Sequence, residues 1–388
     1  MRTPACDTVS SLGRKKASIE EASAVPWSSA STMATDWTFQ QIAPYIGRVK
    51  TSIARYLIDN LSQPGDVIVD PFCGSGIIPY EAIASQRQVR CGDINPYAVL
   101  LTRAKLFAPS SLDEALGQLE IVWKIATTSF QGQDLRKVPQ WVRAFFHPKT
   151  LREILSFREA CVKTNSYFLF ACLLGILHHQ RPGFLSFPSS HLVPYLRDRL
   201  YPKEDYPEMY DYREVHPRLE AKIRRAYRRI PPKNDCSAEV YYQHAEQFPY
   251  TGKVSAVITS PPYMNELDYV RDNRLRLWVI HRGLPKIHDP KLKNKEENFE
   301  MLMRKTCKRF SNNIIEGGYF ALVIGDSRRG NPQRKTDAII KSIFDTDTSL
   351  SAFRLKKIFV DNIPDIRRSR RDNQGTKTET ILVYRREK

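Results

Sequence analysis

The sequence predicts an α/β protein built on a mostly parallel sheet. Patterns typical of strands and helices alternate on both sides of a long middle segment, as they do where helices connect parallel strands. A glycine-rich turn follows the first predicted strand, and a pair of prolines follows a later one. The expected strands cover residues 66–70, 88–93, 238–243, 254–259, 319–325, 353–360 and 378–384. The expected helices cover residues 52–61, 77–85, 96–107, 216–230, 267–281 and 296–315.

The glycine-rich turn has the composition of a ligand-binding loop. An apolar strand leads into Asp70, and Gly74 and Gly76 follow in the pattern G-x-G. Glycine permits positive φ and close approach to a ligand, and the amides that open the next helix suit a polar or anionic group. Asp93 ends the next predicted strand, where an acidic residue can accept both hydroxyls of a ribose. The third glycine of dinucleotide sites is missing, so a dinucleotide is the weaker interpretation.

The segment 259–263, Thr-Ser-Pro-Pro-Tyr, is the most informative stretch of the chain. It follows the apolar run 254–258, which predicts a buried strand. The two prolines fix φ and remove backbone donors, so the chain leaves the sheet in a rigid, extended turn with free carbonyl oxygens. Such an edge, with an aromatic ring beside it, suits a flat base that carries an amino group. A strand terminus with a packing tyrosine is the alternative, and this segment alone does not separate the two.

Together these segments resemble the amino-group DNA methyltransferases. Residues 65–76 and 259–263 carry the resemblance, which is greatest for the cytosine-N4 branch, whose catalytic tetrapeptide begins with serine. Residues 43–58 are similar to the family's helical motif at the methionine end of S-adenosylmethionine, and residues 92–98 match its ribose motif. The resemblance implies a Rossmann-like methyltransferase sheet, mostly parallel, with a C-terminal antiparallel hairpin strand.

The resemblance also implies a set of site residues. It assigns catalysis to Ser260, Pro261, Pro262 and Tyr263. It assigns the binding of S-adenosylmethionine to Tyr45, Asp70, Pro71, Phe72, Cys73, Gly74, Ser75, Gly76, Asp93, Ile94, Ala245 and Thr259. The chain departs from the family where Ile77 and Ile78 replace threonines, and where His244 stands at the position of an acid. No metal is expected, because His244 has no partner ligands at zinc spacing.

The expected chemistry follows from the weakness of an amino group as a nucleophile. Its lone pair is delocalised into the ring, so we expect Ser260 Oγ and the Pro261 carbonyl to accept its hydrogens while Tyr263 stacks on the base. In-line attack on the sulfonium methyl then depends on positioning and aligned dipoles, without a covalent intermediate. A base in a duplex must first leave the stack, at a cost of a few kcal/mol. Methylation of cytosine at carbon 5 is disfavoured, because the chain has no Pro-Cys pair.

The composition indicates a polyanion-binding protein. The 388 residues carry a formal net charge of +18 and give an isoelectric point near 9.6, which agrees with a nucleic-acid partner without separating DNA from RNA or a membrane surface. Seven cysteines without a C-x-x-C pair predict free thiols in a reducing cytoplasm. The longest apolar run, residues 167–177, is too short to cross a bilayer and predicts a buried helix.

The predicted domain organisation has three parts. Residues 1–34 are expected to be disordered, since they are rich in Ser, Ala and Thr and lack periodicity. Residues 35–107 and 236–388 are expected to form the catalytic domain. The helical middle segment, 108–235, is too long for a connection and is hypothesised to be the target-recognition region. Four of its aromatic residues are expected to pack a core of its own: Trp123, Trp141, Phe145 and Phe146.

Three basic clusters are candidates for contacts with DNA. One lies on the two-faced helix 216–230, for which a solvated surface is an equal alternative. The second follows the strand that ends at Gly325, and the third lies between the last two strands. Both loops are therefore expected at the edge that carries Tyr263. The predicted DNA-binding residues are Arg225, Arg229, Arg328, Arg329, Arg367, Arg368, Arg370 and Arg371.

These observations predict a site-specific enzyme that methylates N4 of a flipped cytosine in double-stranded DNA. A cognate restriction endonuclease would be a natural partner, and no membrane partner is expected. An adenine-N6 DNA methyltransferase is the first alternative, although such enzymes more often carry Asp at position 260. An RNA guanine-N2 methyltransferase and a DNA-binding protein without activity remain further alternatives. The intact Asp70, Gly74, Gly76, Asp93 and Ser260 weigh against the inactive protein.

Overall fold

The computed structural model describes residues 23–27, 36–179, 183–186, 202–262, 273–282, 295–325, 336–362 and 378–388. The strands are β1 (Val67–Asp70), β2 (Gln88–Asp93), β3 (Ala238–Tyr242), β4 (Val254–Thr259), β5 (Ile314–Gly325), β6 (Phe353–Asn362) and β7 (Thr378–Arg386). The α-helices are α1 (Thr51–Leu61), α2 (Ile77–Ala84), α3 (Pro96–Leu106), α4 (Leu112–Thr127), α5 (Gln140–Arg143), α6 (Pro148–Lys163), α7 (Tyr167–Ile176), α8 (His216–Ala226), α9 (Arg274–His281), α10 (Lys295–Ser311) and α11 (Thr336–Thr346).

The described strands form one sheet in the order β3-β2-β1-β4-β5-β7-β6. Neighbours from β3 to β5 pair in parallel, and β7 pairs antiparallel with both β5 and β6. The predicted fold, a mostly parallel Rossmann-like sheet with a C-terminal antiparallel hairpin strand, is confirmed. The chain order reverses between β1 and β4, and ligands bind open α/β sheets at such a switch point, beyond the carboxyl ends of the strands.

The central strands are apolar throughout because both faces of the sheet are covered. Ile68 of β1 lies in a core with α1 and α2, whereas its neighbour Val69 lies in a core with α10 and α11. Both side chains are fully buried. This two-sided burial explains why β1 and β4 appear in the sequence as continuous apolar runs and not as an alternating pattern.

Three predicted helices differ from the structure in their bounds. The helix expected at 296–315 ends at Ser311, and β5 already begins at Ile314. Gly317, whose φ is 76°, therefore lies inside β5, where the register with β4 shifts. The helix expected at 216–230 ends at Ala226, since the Arg229 carbonyl instead accepts a hydrogen bond from Thr38 N at 2.8 Å. The helix expected at 267–281 is described only from Arg274.

The helical middle segment shares its core with the sheet domain. Tyr97 and Leu101 of α3 lie in one cluster with Phe145 and Phe157, so the expected separate core is corrected. Phe145 and Phe146 are buried, whereas Trp123 and Trp141 are half-buried at the border of that cluster. The apolar run at 167–177 forms α7, which packs on α3 as predicted for a buried helix. None of the described helices is long and apolar enough to cross a membrane.

Residues 23–27 lie against the outer strand of the sheet, which differs from the expected disorder of segment 1–34. Ser23 N donates to Ile358 O at 2.8 Å. The Trp27 ring packs on Phe359 and its Nε1 donates to Asp361 Oδ2 at 3.0 Å, while Lys50 Nζ lies 2.5 Å from the same carboxylate oxygen. This short stretch thereby covers part of an edge strand, which would otherwise expose unpaired backbone groups. Residues 1–22 and 28–34 lie outside the described residues.

Replacing Trp27 by phenylalanine is expected to lower the free energy of unfolding by about 2 kcal/mol, because a buried hydrogen bond to a charged carboxylate is lost while the aromatic packing remains. The midpoint of urea unfolding should fall with an unchanged slope. A loss below about 0.5 kcal/mol would show that Lys50 alone satisfies Asp361.

Candidate functional site

The switch point of the sheet brings the two motif-bearing strands into direct contact. Asp70 ends β1 and Thr259 ends β4, and Thr259 Oγ1 donates to Asp70 Oδ1 at 2.6 Å. Both residues are buried, with 1% and 0% of their surfaces exposed. The glycine turn and the segment 259–262 therefore leave the same edge of the sheet from adjacent strands.

Asp70 is an ionisable group in an apolar setting. Burial raises the pKa of its carboxyl to about 7, although hydrogen bonds from Thr259 and from Phe72 N oppose the rise. The nearby Asp93 carboxylate raises the pKa further. A cationic ligand group at this edge would favour the ionised form of Asp70, since opposite charge offsets the cost of burial.

Asp70→Asn is expected to flatten the dependence of stability on pH. The pKa of folded Asp70 lies above the ordinary 3.8, so its contribution to stability is present below pH 3.8 and is lost as the pH rises through about 7. Asparagine keeps an oxygen for Thr259 but carries no charge, and the variant should gain on the order of 1–2 kcal/mol relative to wild type at pH 8. Urea unfolding at pH 5 and pH 8, without ligand, measures this; parallel curves for the two proteins would contradict it.

The glycine turn is held by backbone contacts to β2 and to Asp93. Gly74 and Gly76 have φ of 50° and 77°, in the left-handed region that favours glycine. Gly74 N donates to Asp93 Oδ2 at 2.9 Å, and Asn95 N donates to Asp93 Oδ1 at 2.8 Å. Burial raises the pKa of Asp93 to about 6, and these backbone donors oppose the rise. The Asp93 carboxylate is thus fixed in orientation beside the turn.

The residues present fit S-adenosylmethionine. A Cβ on Gly74 would lie 3.6 Å from Tyr45 Cε1, so the bare Cα leaves a cradle between the turn and that ring. Ser75 Oγ is buried and has no hydrogen-bond partner among the described residues, which leaves it for a ligand. The amides at the start of α2 suit the methionine carboxylate, and Asp93 retains lone pairs for the ribose hydroxyls.

The remaining predicted cofactor residues follow the carboxyl ends of β1, β2 and β3. Pro71, Phe72 and Cys73 form the turn itself, and burial together with Cys91 raises the pKa of the Cys73 thiol well above its usual range, which disfavours a nucleophilic thiolate. Ile94 is 44% exposed after the end of β2. Ala245 is buried on a 3-10 helix, Ala245–Gln247, which follows β3. Direct contact of these residues with the cofactor stays a prediction.

Ser260 and the two prolines follow Thr259 at the same edge. Ser260 Oγ donates to the Val323 carbonyl of β5 at 3.0 Å. This bond uses the hydroxyl hydrogen, so the lone pairs of Oγ remain available to a donor. Pro261 is buried and Pro262 is half-buried. Tyr263 lies outside the described residues.

The structure describes only part of the predicted set of DNA-binding residues. Arg225 is exposed, whereas Arg229 Nε donates to Asp36 O at 2.8 Å and ties the end of the helical segment to the chain before α1. The ends of β5 and β6 and the start of β7 lie at the carboxyl edge, which supports the expected direction of the two basic loops. The loop arginines are outside the described residues: Arg328, Arg329, Arg367, Arg368, Arg370 and Arg371.

The sequence alone did not indicate the residues that form hydrogen bonds to the segments around the site. Tyr97 Oη donates to Pro44 O at 2.6 Å, next to Tyr45. Gln40, Glu81 and Lys105 form a buried hydrogen-bonded group below the turn. The position of Tyr97 inside the ribose motif, residues 92–98, could have drawn attention to it. The other three lie on separate segments, and no local pattern connects them.

A comparison with known protein families matches part of this site. The family described as D12 class N6 adenine-specific DNA methyltransferase matches residues 45–176, which hold Tyr45, the glycine turn and Asp93. No curated protein matches the chain significantly.

Several solved structures match the chain at low identity. TrmN from Thermus thermophilus is 12% identical with a TM-score of 0.37, over 90% of this chain and 52% of TrmN, so the chain spans about half of that protein. An rRNA methylase from Streptococcus thermophilus is 8% identical with a TM-score of 0.35, over 88% and 98% of the two chains. A putative methyltransferase from Streptococcus mutans in complex with SAH is 7% identical with a TM-score of 0.34, over 87% and 98%.

The family match and the cradle between Gly74 and Tyr45 lead to one conclusion about the chemistry of this edge. The match over residues 45–176 supports an S-adenosylmethionine-dependent methyltransferase that acts on amino groups, and the cradle supports S-adenosylmethionine as its cofactor.

Proposed function

We propose that the protein methylates N6 of adenine in DNA. The observation that carries the proposal is the hydrogen bond between Thr259 and Asp70, because it joins the part matched by the adenine-N6 family to the segment 259–262. The matched part, residues 45–176, ends well before that segment. The contact therefore supports one site with two neighbouring halves, one for the cofactor and one for the base.

The base half is proposed to activate the amino group by accepting its hydrogens. S-adenosylmethionine supplies an electrophilic methyl group when it is bound. Ser260 Oγ, oriented by its own bond to Val323 O, offers lone pairs to one N–H, and the Pro261 carbonyl offers them to the other. These acceptors hold the nitrogen in line for attack and stabilise the positive charge that develops on it.

Double-stranded DNA is the proposed partner. The net charge of +18 suits a polyanion, and the strand ends that lead into the two arginine-rich loops lie at the edge that carries Ser260. An adenine in a duplex must be flipped out to reach this edge. Binding through several phosphates would weaken steeply as salt concentration rises. The helical segment 108–235 stays the proposed target-recognition region, and an endonuclease with the same target is the proposed partner in the cell.

Cytosine N4 is the second candidate target, and a specific observation favours it. The tetrapeptide begins with Ser260, as in cytosine-N4 enzymes, whereas adenine-N6 enzymes more often begin with Asp. We rank adenine first because the family match spans the cofactor half of the site and names adenine-N6 enzymes. Both bases present the same exocyclic amino group, so the acceptors at Ser260 and Pro261 serve either reaction.

Mass analysis of nucleosides from plasmid DNA separates these targets. Cells that express the protein are compared with cells that express Gly76→Ala, a variant with a disrupted cofactor turn. N6-methyladenine that appears only with the unaltered protein supports the proposal. N4-methylcytosine in its place would transfer the assignment to the second candidate, and DNA without either base would contradict both.

A further inference from the structure

Gln40 is a buried side chain whose amide is fully hydrogen-bonded. Its Nε2 donates to Glu81 Oε1 at 2.8 Å and to Ile77 O at 3.4 Å, and its Oε1 accepts from Lys105 Nζ at 2.7 Å. Only 3% of the residue is exposed. One side chain thus connects the segment before α1 to the first two turns of α2 and to the last turn of α3.

Two partners of Gln40, Glu81 and Lys105, are ionisable groups that water does not reach. Glu81 is 1% exposed and also accepts from Arg55 Nε at 2.7 Å, and Lys105 is 4% exposed. Burial lowers the pKa of Lys105 well below its usual range, and the positive charge of Arg48 lowers it further. Burying such groups is costly unless each is hydrogen-bonded, so this arrangement tolerates little displacement of Gln40.

The segment that Gln40 holds carries Tyr45. Arg48 Nη1 donates to Gln40 O at 2.7 Å, and Tyr97 Oη donates to Pro44 O at 2.6 Å, so the stretch around Tyr45 is fixed on both sides. The Tyr45 ring lies 5.7 Å from the Tyr97 ring and borders the bare Cα of Gly74. Meanwhile the Ile77 carbonyl, which Gln40 also contacts, belongs to the first residue of α2 after the glycine turn.

We propose that Gln40 is a positioning residue that holds Tyr45 and the glycine turn at a fixed separation and thereby sets the affinity for S-adenosylmethionine. The side-chain amide of Gln40 bonds to the α2 wall of the cradle, and the backbone of Gln40 lies in the segment that carries Tyr45, the other wall. The inference rests on the cofactor site and not on the identity of the methylated base, so its test is independent of the proposed target.

A matched pair of variants separates positioning from simple structural support. Gln133 in the middle segment is also buried, and its Nε2 donates to Glu159 Oε2 at 2.8 Å, as Gln40 donates to Glu81. Gln40→Ala and Gln133→Ala each remove one buried amide, and both should lower the free energy of unfolding. Only Gln40→Ala is expected to raise the Kd for S-adenosylmethionine, by about 10-fold or more, while Gln133→Ala stays within about twofold of wild type.

A second pair keeps the test decisive if Gln40→Ala does not fold. Tyr97→Phe removes only the hydroxyl that donates to Pro44 O, and Tyr227→Phe removes a hydroxyl that donates at 2.7 Å to the carbonyl of Pro109, between α3 and α4. Calorimetric titration with S-adenosylmethionine should show weaker binding for Tyr97→Phe and unchanged binding for Tyr227→Phe. A Kd within twofold of wild type for both Gln40→Ala and Tyr97→Phe would overturn the proposal, whatever their stability. Because this titration needs no DNA, failure of the adenine assignment would leave its result intact.

Discussion

Gly76→Ala is expected to weaken the binding of S-adenosylmethionine by at least about 100-fold, since two separate costs fall on the same residue. Gly76 has φ of 77°, a left-handed conformation that costs an L-residue roughly 1–2 kcal/mol. A Cβ there would also lie 2.7 Å from Thr102 Oγ1 and 3.0 Å from Thr102 Cα. Because Thr102 Cα is backbone, no rotamer change relieves the clash, and the turn or α3 must shift.

The matched control is another glycine-to-alanine change in a helix. Gly117 lies in α4, and a Cβ there would meet no atom within 4 Å. Gly117→Ala should leave the Kd for S-adenosylmethionine unchanged and should raise stability by up to about 1 kcal/mol, since alanine is the better helix former. Equilibrium titration with S-adenosylmethionine measures both variants. If Gly76→Ala binds as tightly as Gly117→Ala, the turn does not contact the cofactor.

The sequence predicted the sheet and the two motifs well because their signals are local. The strands around Asp70 and Thr259 are continuous apolar runs that end in a polar residue, and two-sided burial in a parallel sheet produces that pattern. Gly74 and Gly76 indicated a turn in the sequence, because few residues other than glycine adopt a positive φ. Parallel pairing then brings the strand ends to one edge, which explains how the two motifs meet although 189 positions separate Asp70 from Thr259.

The parts that escaped prediction depend on contacts between distant segments. Gln40, Glu81 and Lys105 are ordinary polar residues in the sequence, and only packing of three elements makes them a buried group. The core that the helical segment shares with the sheet domain was not predicted for the same reason. Because α7 is apolar on all sides, its sequence pattern does not indicate which elements pack against it. β5 begins earlier than predicted because its register with β4 shifts, so that Gly317 lies inside the strand.

The choice between adenine and cytosine also exceeds what the motifs encode. Ser260 favours cytosine by resemblance, and the match over residues 45–176 favours adenine. Neither segment reads the ring itself, since both contribute to the amino group and the methyl donor. Ring identity depends on side chains that face the base beyond its amino group, and Tyr263, the residue expected to stack on the base, lies outside the described residues.

Ser260→Ala is expected to lower kcat by about 100- to 1,000-fold while the Kd for S-adenosylmethionine changes less than twofold, because one hydrogen-bond group aimed at the reacting centre is lost. Ser260 Oγ has a single described partner, Val323 O at 3.0 Å, and no described bond to the glycine turn or to Asp93. Its removal therefore leaves the cofactor half intact. Single-turnover methyl transfer at saturating cofactor measures the chemical step.

Ser260→Thr is the conservative counterpart that distinguishes chemistry from packing. Threonine keeps a hydroxyl that can donate to Val323 O and still offer lone pairs, so its rate should lie within about 10-fold of wild type. If Ser260 served only to join β4 to β5, both variants would lose stability with little change in rate. Equal losses of rate and of cofactor affinity in Ser260→Ala would instead place the residue in the binding of S-adenosylmethionine and remove it from the activation of the amino group.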